Sequence, residues 1–278
     1  MTASGDEPTV AIIFVVYREY ARLDSLLERQ AAPPGLHLVV VDNTEEDAFR
    51  PDLHSKWRSM GVSVLRPETN LGYAGAGQHA VDSLPELRSA AWVVLANSDL
   101  QFDFGDLWSR LASRSLPEDL GVLAPRLVTT TGGELAQRHY VEAPSAARFL
   151  RLGRIYSQYY LAVLHRTLSD LTRGARTRGS RLDDSTQIFA PHGALMIFTR
   201  RYVSETAFLR FPTFLFCEEV FVGLECSKAN LRCHYDASIV YSHAGHGSIG
   251  RIPSRRVVTF LRDSHLAAAS ALQASEHN

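Results

Sequence analysis

Residues 9–17 read TVAIIFVVY, an uninterrupted apolar run rich in β-branched side chains. Such a run is typical of a strand that is buried on both faces of a parallel sheet. Residues 19–30 (EYARLDSLLERQ) then space their leucines at helical intervals, and residues 36–43 (LHLVVVDN) form a second apolar run. The sequence therefore predicts a strand, a helix and a second strand in succession.

The same alternation continues over the first hundred residues. Apolar runs at residues 62–67 (VSVLRP) and 90–99 (AAWVVLANSD) flank a helical stretch at residues 75–84 (GAGQHAVDSL). Right-handed crossovers place such strands parallel in one sheet. We predict a single-domain α/β fold with a mostly parallel, Rossmann-like sheet and helices on both faces. Its ligand site should lie at the carboxyl ends of the strands.

The composition is that of a folded globular enzyme. The 278 residues are 45% hydrophobic and carry a formal net charge of −1, which argues against a surface for nucleic acid or other polyanions. Nearly all positive charge comes from arginine, whose guanidinium suits phosphate and carboxylate. The chain has three cysteines without a C-x-x-C pair, no signal-like start and no apolar run of about 18 residues. We therefore expect a cytoplasmic protein.

Polar side chains follow three of the predicted strands. Because the carboxyl ends of parallel strands share an edge, we expect these side chains to line one nucleotide site. The candidates are Tyr17 and Glu19 after the first strand, Asp42 and Asn43 after the second, and Asn97 and Asp99 after the fourth. The alternative is that Asp42, Asn43 and Asp99 only cap turns and helices.

Residues 70–80 (NLGYAGAGQHA) contain a G-x-G-x-x-A match that suggests a dinucleotide fingerprint. That fingerprint must follow the first strand directly, whereas two strands precede it here, so we do not predict a dinucleotide site. Gly72 and Gly75, with Asn70 beside them, instead let the backbone pass close to a diphosphate or sugar at a helix N-terminus. The alternative is that the glycines only allow a helix to pack closely on the sheet.

Residues 211–230 (FPTFLFCEEVFVGLECSKAN) place two adjacent glutamates, Glu218 and Glu219, inside an apolar and aromatic stretch. Such surroundings disfavour charge and raise the pKa of a carboxyl group toward the pH at which a general base works. Two neighbouring carboxylates can also share a proton. The alternative is that acidic residues in the first turn of a helix only stabilise that helix.

Five motifs occur in an order and at intervals that resemble one enzyme family. They are VVVDN (39–43), NLGYAGAGQ (70–78), LANSDL (95–100), PHGALMIFTR (191–200) and FLFCEEV (214–220). The set resembles the inverting glycosyltransferases of family 2, of GT-A type, and especially their rhamnosyltransferase and galactofuranosyltransferase-like branch. The resemblance runs from about residue 9 to about residue 250.

The resemblance implies a donor site and a metal site. Asp42 would contact the base or ribose of a nucleoside diphosphate sugar, and Asp99 would end a D-x-D-like metal motif in which Asn97 replaces the first Asp. His243, in YSHAGHGS (241–248), resembles the metal-binding histidine of the family. Mg²⁺ or Mn²⁺ suits such a site because one or two carboxylates suffice beside diphosphate oxygens. The implied donor is a dTDP- or UDP-sugar.

The resemblance also implies an acceptor site. Glu219 matches the position that supplies the general base, where the family usually has Asp, and Glu218 would orient the acceptor or its neighbour. His192 and Gly193 would line the sugar pocket. The family often has a further Asp where this chain has Phe221, so acceptor or donor recognition is expected to differ.

A basic stretch separates two halves of the chain. Residues 145–181 carry eight arginines and one acidic residue, with tyrosines and leucines at helical spacing, which predicts a helical insertion at about 143–182. Such a helix can lie on an anionic membrane, bind an acidic or phosphorylated acceptor, cover a neighbouring subunit or pack its arginine stems on the domain. Residues 172–186 are interpreted as a mobile loop that closes over the donor.

The predicted activity is metal-dependent transfer of a sugar, with inversion, to a hydroxyl of a glycan, a lipid-linked sugar or a small natural product. We expect residues 9–125 to bind the nucleotide sugar, residues 126–250 to bind the acceptor, and residues 251–278 to form a C-terminal helix. The alternatives are a catalytically silent nucleotide-sugar-binding protein and a nucleotidyltransferase. The latter should carry a glycine-rich loop after the first strand, where this chain has no glycine.

Overall fold

The structure, a computed structural model, describes residues 9–129, 139–176, 186–243 and 253–276. The strands are β1 Val10–Val16, β2 Leu36–Asp42, β3 Ser63–Leu65, β4 Trp92–Asn97, β5 Leu100–Gln101, β6 Leu120–Thr129, β7 Gln187–Ile188, β8 Leu195–Thr199 and β9 Arg232–His243. The helices are α1 Tyr20–Arg29, α2 Pro51–Ser59, α3 Gly72–Ser83, α4 Glu86–Ser89, α5 Phe104–Ala112, α6 Ala146–Tyr156, α7 Tyr159–Arg176, α8 Arg200–Glu205, α9 Glu218–Lys228 and α10 Arg255–Glu276.

The strands of the described ranges form one sheet in the order β3-β2-β1-β4-β8-β6-β9-β5, with β7 paired to β9. The first four strands are parallel to one another. Because β8 is antiparallel to both β4 and β6, the strands β6 and β9 share the direction of the first four. Only β5, β7 and β8 of these strands run the other way. The prediction of a mostly parallel α/β fold in a single domain is therefore confirmed.

The hydrophobic core lies on both faces of the sheet, because successive side chains of each central strand alternate between the faces. In β1, Ile12 and Phe14 pack with residues of α1, α2 and α5, whereas Ala11 and Ile13 pack with residues of α3, α8 and α9. Burying each large aliphatic side chain stabilises the fold by roughly 1.5–3 kcal/mol. Helices therefore cover both faces, as predicted, and the carboxyl edge of the parallel strands remains for polar residues.

The arginine-rich stretch forms two helices, α6 and α7, which are separated by residues 157–158. Both helices pack against α10, and Gly153 permits the closest approach, since a Cβ there would lie 2.6 Å from Leu266 Cδ2. α7 continues to Arg176, into the stretch that was predicted as a loop. The rest of that predicted loop, residues 177–185, lies outside the described residues.

The last helix, α10, begins at Arg255, as the sequence predicts. Its buried residues Val258, Leu261, Ala268 and Leu272 follow helical spacing and pack on the insertion helices and on α9. In the part of the chain that the structure describes, no helix combines the length and apolarity that crossing a membrane requires.

Candidate active site

Asp42 is fully buried at the end of β2. Its Oδ2 accepts a hydrogen bond from Tyr20 Oη (2.8 Å) and lies 2.7 Å from His54 Nε2, while its Oδ1 accepts from the Thr44 amide (3.0 Å). Burial raises the pKa of Asp42, but the hydrogen bonds from His54, Thr44 and Tyr20 outweigh it, so the pKa is lowered. Asp42 thus organises the loop after β2. A direct contact with a base or ribose needs an exposed oxygen, which Asp42 does not present here.

Asn43 joins the end of β2 to the turn before α3. Its Nδ2 donates to the Gly72 carbonyl (2.8 Å), its Oδ1 accepts from the Leu71 amide (3.3 Å), and Asn70 Oδ1 accepts from the Gly72 amide (2.9 Å). Gly72 has φ +74°, and a Cβ there would overlap the carbonyl oxygen of Phe214. This position therefore requires glycine. The turn brings the predicted donor residues against the segment that precedes α9.

The glycines inside α3 have different surroundings. A Cβ at Gly77 would lie 2.6 Å from Leu209 Cδ1 and 2.8 Å from Leu95 Cδ1, so close packing on the sheet explains this glycine. A Cβ at Gly75 would meet only Leu71 Cβ, at 3.2 Å. Packing therefore requires glycine less strictly at position 75 than at position 77. The contact of Gly75 with a sugar donor stays a prediction.

Asp99 lies just beyond the end of β4, with its side chain 12% exposed. Arg22, which sequence reasoning missed, places Nη1 3.9 Å from Asp99 Oδ2. The next residue, Leu100, begins β5 and pairs with His243 in β9. The backbone of His243 therefore lies beside the residue that follows Asp99, while its side chain is outside the described residues. The topology brings the two predicted metal ligands to neighbouring strand positions.

The carboxylate ligand that Asp99 offers fits a divalent ion that is bound by protein and substrate together. Among the side chains that the structure describes, no three His, Cys, Asp or Glu residues form a group that could hold a metal. Asp99 supplies a hard oxygen at the edge where a diphosphate would lie. One carboxylate suffices for Mg²⁺ or Mn²⁺ when phosphate oxygens and water complete the coordination. A preformed cage of protein ligands is not needed.

Glu218 and Glu219 open α9 directly after a strained turn. Phe216 and Cys217 both have positive φ, 75° and 64°, which is costly for residues with side chains. Glu218 Oε1 accepts a hydrogen bond from the Phe216 amide (2.9 Å) and so supports this turn. Glu219 Oε1 accepts from the Gly193 amide (3.2 Å). Backbone amides therefore fix the position of both carboxylates.

Burial raises the pKa of both glutamates. Glu218 is 5% exposed, and burial followed by the charge of Glu219 raises its pKa to about 8. Burial also raises the pKa of Glu219, whose side chain is partly exposed. Since adjacent carboxylates disfavour double ionisation, the pair can hold one proton and one negative charge near neutral pH. Glu219 is the member that a substrate can reach.

Tyr73 is a site residue that sequence reasoning missed. Its hydroxyl donates to the Ala194 carbonyl (3.2 Å). Burial, and then the charges of neighbours that include Glu218, Asp99 and Glu219, raise its pKa. The charges of carboxylates beyond β4 and at the start of α9 therefore all affect one tyrosine. The available signal was an aromatic residue between two glycines at the start of a predicted helix.

His192 and Gly193 lie between these carboxylates and the neighbouring strand β9. The His192 amide donates to His139 Nδ1 (2.9 Å), and His192 Nδ1 lies 3.4 Å from Tyr241 Oη. Burial lowers the pKa of His139 to about 4, so this ring is neutral and can accept the bond. A Cβ on Gly193 would lie 2.8 Å from Glu219 Oε1. The glycine thus leaves room for the candidate base.

The remaining predicted residues lie at the ends of other strands. Tyr17 donates its hydroxyl hydrogen to Glu45 (3.2 Å), and Glu19 is exposed at the start of α1, where its side chain makes no cap bond. Asp103 caps α5 by accepting from the Asp106 amide (2.7 Å). The interpretation of Asp103 as a cap, and not a second metal carboxylate, is therefore supported.

A cavity of about 460 Å³ lies on another side of α9. Its walls include Phe189, Cys226, Arg232 and Cys233, and no predicted site residue lines it. The carboxylates described above, Glu218, Glu219 and Asp99, are not among the residues that line this cavity. We therefore place the candidate active site at these carboxylates.

Comparison with known proteins identifies the fold. No protein-family model and no curated protein matches the chain. Among solved structures, TarS from S. aureus is 16% identical with a TM-score of 0.50, and the match covers 84% of this chain but only 36% of TarS. Likeness at this level of identity shows the fold, which is that of GT-A glycosyltransferases.

Two further structures match over nearly the whole chain. Glucosyl-3-phosphoglycerate synthase from Mycobacterium tuberculosis, in complex with Mn²⁺, UDP and glucosyl-3-phosphoglycerate, is 14% identical with a TM-score of 0.53; the match covers 96% of this chain and 80% of that one. The mannosyltransferase PcManGT from Pyrobaculum calidifontis, in complex with GDP-Man and Mn²⁺, is 16% identical with a TM-score of 0.51. That match covers 98% of this chain and 76% of the mannosyltransferase.

Proposed function

We propose that this chain is a metal-dependent glycosyltransferase that moves a sugar, with inversion, from a nucleoside diphosphate sugar to an acceptor hydroxyl. The observation that carries the proposal is the pair of carboxylates, Glu218 and Glu219, that backbone amides hold at the start of α9, with Asp99 just beyond the end of β4, within a GT-A fold. A carboxylate pair with raised pKa values suits proton abstraction. A separate carboxylate at the strand edge suits a divalent ion that would neutralise charge on a diphosphate. The synthase and the mannosyltransferase of the same fold bind UDP and GDP-Man, each with Mn²⁺.

Glu219 is the proposed general base. Its carboxylate accepts the proton of the acceptor hydroxyl while the hydroxyl oxygen forms a bond to the anomeric carbon, and the bond between that carbon and the diphosphate breaks. Attack from the face opposite the diphosphate inverts the configuration. The Gly193 amide holds one carboxylate oxygen of Glu219 and leaves the other for the acceptor. Glu218 orients the acceptor or Glu219 by supporting the turn before α9.

Asp99 and His243 are the proposed protein ligands of Mg²⁺ or Mn²⁺. When bound, the ion would neutralise charge that develops on the leaving diphosphate. Arg22, 3.9 Å from Asp99, adds positive charge at the same edge.

The donor site is proposed to use the polar ends of the parallel strands. Asp42 and Asn43 are buried and hold the loop and turn in place, whereas the proposed direct contacts, apart from the buried Gly72, are more accessible. We propose a dTDP- or UDP-sugar as the donor, residues 9–125 as its binding half and residues 126–250 as the acceptor half. The proposed donor contacts are Tyr17, Glu19, Asn70, Gly72, Gly75, Asn97, His192 and Gly193.

Thermal-shift measurements test donor and metal binding. The protein and Asp99→Ala are melted with UDP, dTDP, GDP and NAD, each with and without Mn²⁺, because a specific ligand raises the melting temperature by mass action. We expect a pyrimidine diphosphate to stabilise the protein only with Mn²⁺, and Asp99→Ala to abolish this effect. Asp103→Ala is the matched control and should retain the response. Stabilisation by NAD alone would contradict the proposal.

Hydrolysis of the donor tests the base. Removing a general base typically slows a reaction about 10²–10⁴-fold, so Glu219→Gln should lose turnover to this degree while still binding the diphosphate with Mn²⁺. Glu68→Gln, an exposed glutamate outside the site, is the control. Unchanged turnover in Glu219→Gln would refute the base assignment. Binding without turnover in the unaltered protein would favour the catalytically silent alternative.

A further inference from the structure

We propose that α7 and the first turn of α10 form a surface that docks on an anionic lipid bilayer. The apolar part of this surface, here called the α7 apolar face, consists of Tyr160, Leu161, Leu164 and Leu168. These side chains are 79%, 50%, 54% and 52% exposed. Positions 161, 164 and 168 follow one another on one side of a helix, and position 160 adjoins 164 one turn on. The helix thus presents a continuous apolar stripe to solvent.

The opposite side of α7 faces the protein. Ala162 is fully buried and packs with Tyr156, Val258 and Leu261, and Tyr156 Oη lies 3.3 Å from His165 Nδ1. The insertion is therefore already seated on the domain through one side of α7. The α7 apolar face lies on the solvent side of the helix, and an exposed apolar stripe of this kind marks an interaction surface.

Positive charge is concentrated in the helix that precedes α7. Residues 145–169 contain four arginines and no acidic residue. Arg148, Arg151 and Arg154 of α6 are exposed. Within the described ranges, none of these three forms an ion pair with a carboxylate, in contrast to the paired arginines Arg50 and Arg201. The helix that leads into α7 thus carries three exposed guanidinium groups.

The start of α10 adds arginines at the N-terminal end of α7. The guanidinium carbon of Arg255 lies 4.8 Å from the centre of the Tyr159 ring, and Tyr159 donates its hydroxyl hydrogen to the Pro253 carbonyl (3.3 Å). The rings of Tyr159 and Tyr160 are 5.6 Å apart. Arg255 consequently flanks the end of the apolar face that carries Tyr160.

This combination favours a bilayer over the other partners. A second copy of the chain, docked through the same face, would bring two sets of exposed arginines together. An acidic acceptor would pair with the arginines but leave three leucines in water. At an anionic bilayer, leucine and tyrosine side chains enter the boundary between headgroups and acyl chains, and arginines meet lipid phosphates. A bilayer therefore contacts both the apolar side chains and the arginines of the surface.

The docking surface also indicates what kind of molecule carries the acceptor hydroxyl. This step rests on the proposed function. α6 joins α7 to the site, because Phe149 packs in one cluster with Cys217 and Val220 at the start of α9. A bilayer bound through α7 therefore lies next to the elements that carry the candidate base. We infer that the acceptor of the proposed transfer is borne by a lipid.

Cosedimentation with vesicles tests the surface without any donor or acceptor. The full chain is spun with phosphatidylcholine vesicles and with vesicles that also contain phosphatidylglycerol, at low and high salt. We expect binding to the anionic vesicles only, with weakening at high salt, since salt screens the attraction between arginines and lipid phosphates. Leu161→Ser/Leu164→Ser should weaken binding by about tenfold or more, because two half-exposed leucines no longer enter the bilayer.

The matched control is Met60→Ser/Leu116→Ser, which alters two apolar side chains of similar exposure, 41% and 43%, away from α7. This variant should bind like the unaltered protein. Absence of binding to anionic vesicles, or equal loss in both variants, overturns the proposal. A dimer in gel filtration that Leu161→Ser/Leu164→Ser dissociates would assign the face to a second copy instead. Because no sugar transfer is measured, these results are separate from the fate of the proposed activity.

Discussion

Replacing Glu218 by glutamine should change how stability depends on pH. In the folded protein the pKa of Glu218 is raised from an ordinary value of 4.5 to about 8 by burial and by Glu219. Below pH 4.5 both folded and unfolded chains hold the proton, and stability is greatest. As the pH rises, the unfolded chain loses this proton first, so the free energy of unfolding falls until about pH 8 and then levels off.

The size of the effect follows from the two pKa values. Between pH 5 and pH 8 the Glu218 carboxyl should lower the free energy of unfolding by about 3–4 kcal/mol. Glutamine has nearly the same shape, and its Oε1 can still accept the bond from the Phe216 amide. Glu218→Gln should therefore match the unaltered protein near pH 5 and be more stable by this amount near pH 8.

Urea unfolding followed by tryptophan fluorescence at pH 5, 6, 7 and 8 measures the difference. Glu68→Gln, an exposed residue, is the control and should run parallel to the unaltered protein at every pH. If the curves for Glu218→Gln and the unaltered protein are also parallel, Glu218 does not carry a raised pKa. If glutamine destabilises the fold at pH 8, the carboxylate is ionised and held by partners, contrary to our account of the pair.

Three further substitutions probe the contacts around the site. Gly72→Ala should destabilise the protein by more than about 2 kcal/mol, because position 72 has a positive φ and the new Cβ would overlap Phe214. The control Gly61→Ala, with φ +82° but open space around it, should cost only about 1 kcal/mol. Equal losses in urea unfolding would show that the Phe214 contact is unimportant. Gly193→Ala should displace the Glu219 carboxylate and reduce donor turnover about tenfold or more, with little change in melting temperature, and full turnover would contradict the role of this contact. Tyr73→Phe removes the bond to the Ala194 carbonyl and should cost about 1 kcal/mol in urea unfolding; a stability equal to that of the unaltered protein would argue against this bond.

The sequence predicted the parallel half of the sheet because its strands are long apolar runs with polar residues at their ends. β1, β2 and β4 are such runs, and their carboxyl ends do meet at one edge. The order of the strands in the second half of the sheet could not be predicted in this way. β5 and β7 have two residues each, too few for an alternation pattern, and the antiparallel insertion of β8 between β4 and β6 depends on tertiary packing.

Some properties of the predicted site residues follow from the sequence, whereas their contacts with residues of other elements do not. Glu218 and Glu219 stood out because charge interrupts an apolar stretch, and the structure gives both a raised pKa. Burial of Asp42 was not predictable, since its partners Tyr20 and His54 come from separate helices. Tyr73 was passed over for a similar reason: an aromatic residue in a helix is more often part of the core.

The contact between Gly72 and Phe214 has a consequence for the sequence of events in a two-substrate reaction. The turn that would hold the donor and the loop leading to the candidate base touch backbone to backbone, with no side chain between them to absorb a displacement. A donor that shifts residues 70–72 must therefore move the Phe214 carbonyl as well, four residues before Glu218. Occupancy of one substrate site should thus be transmitted to the other, and a compulsory order of addition, donor before acceptor, is the kinetic pattern that this geometry favours.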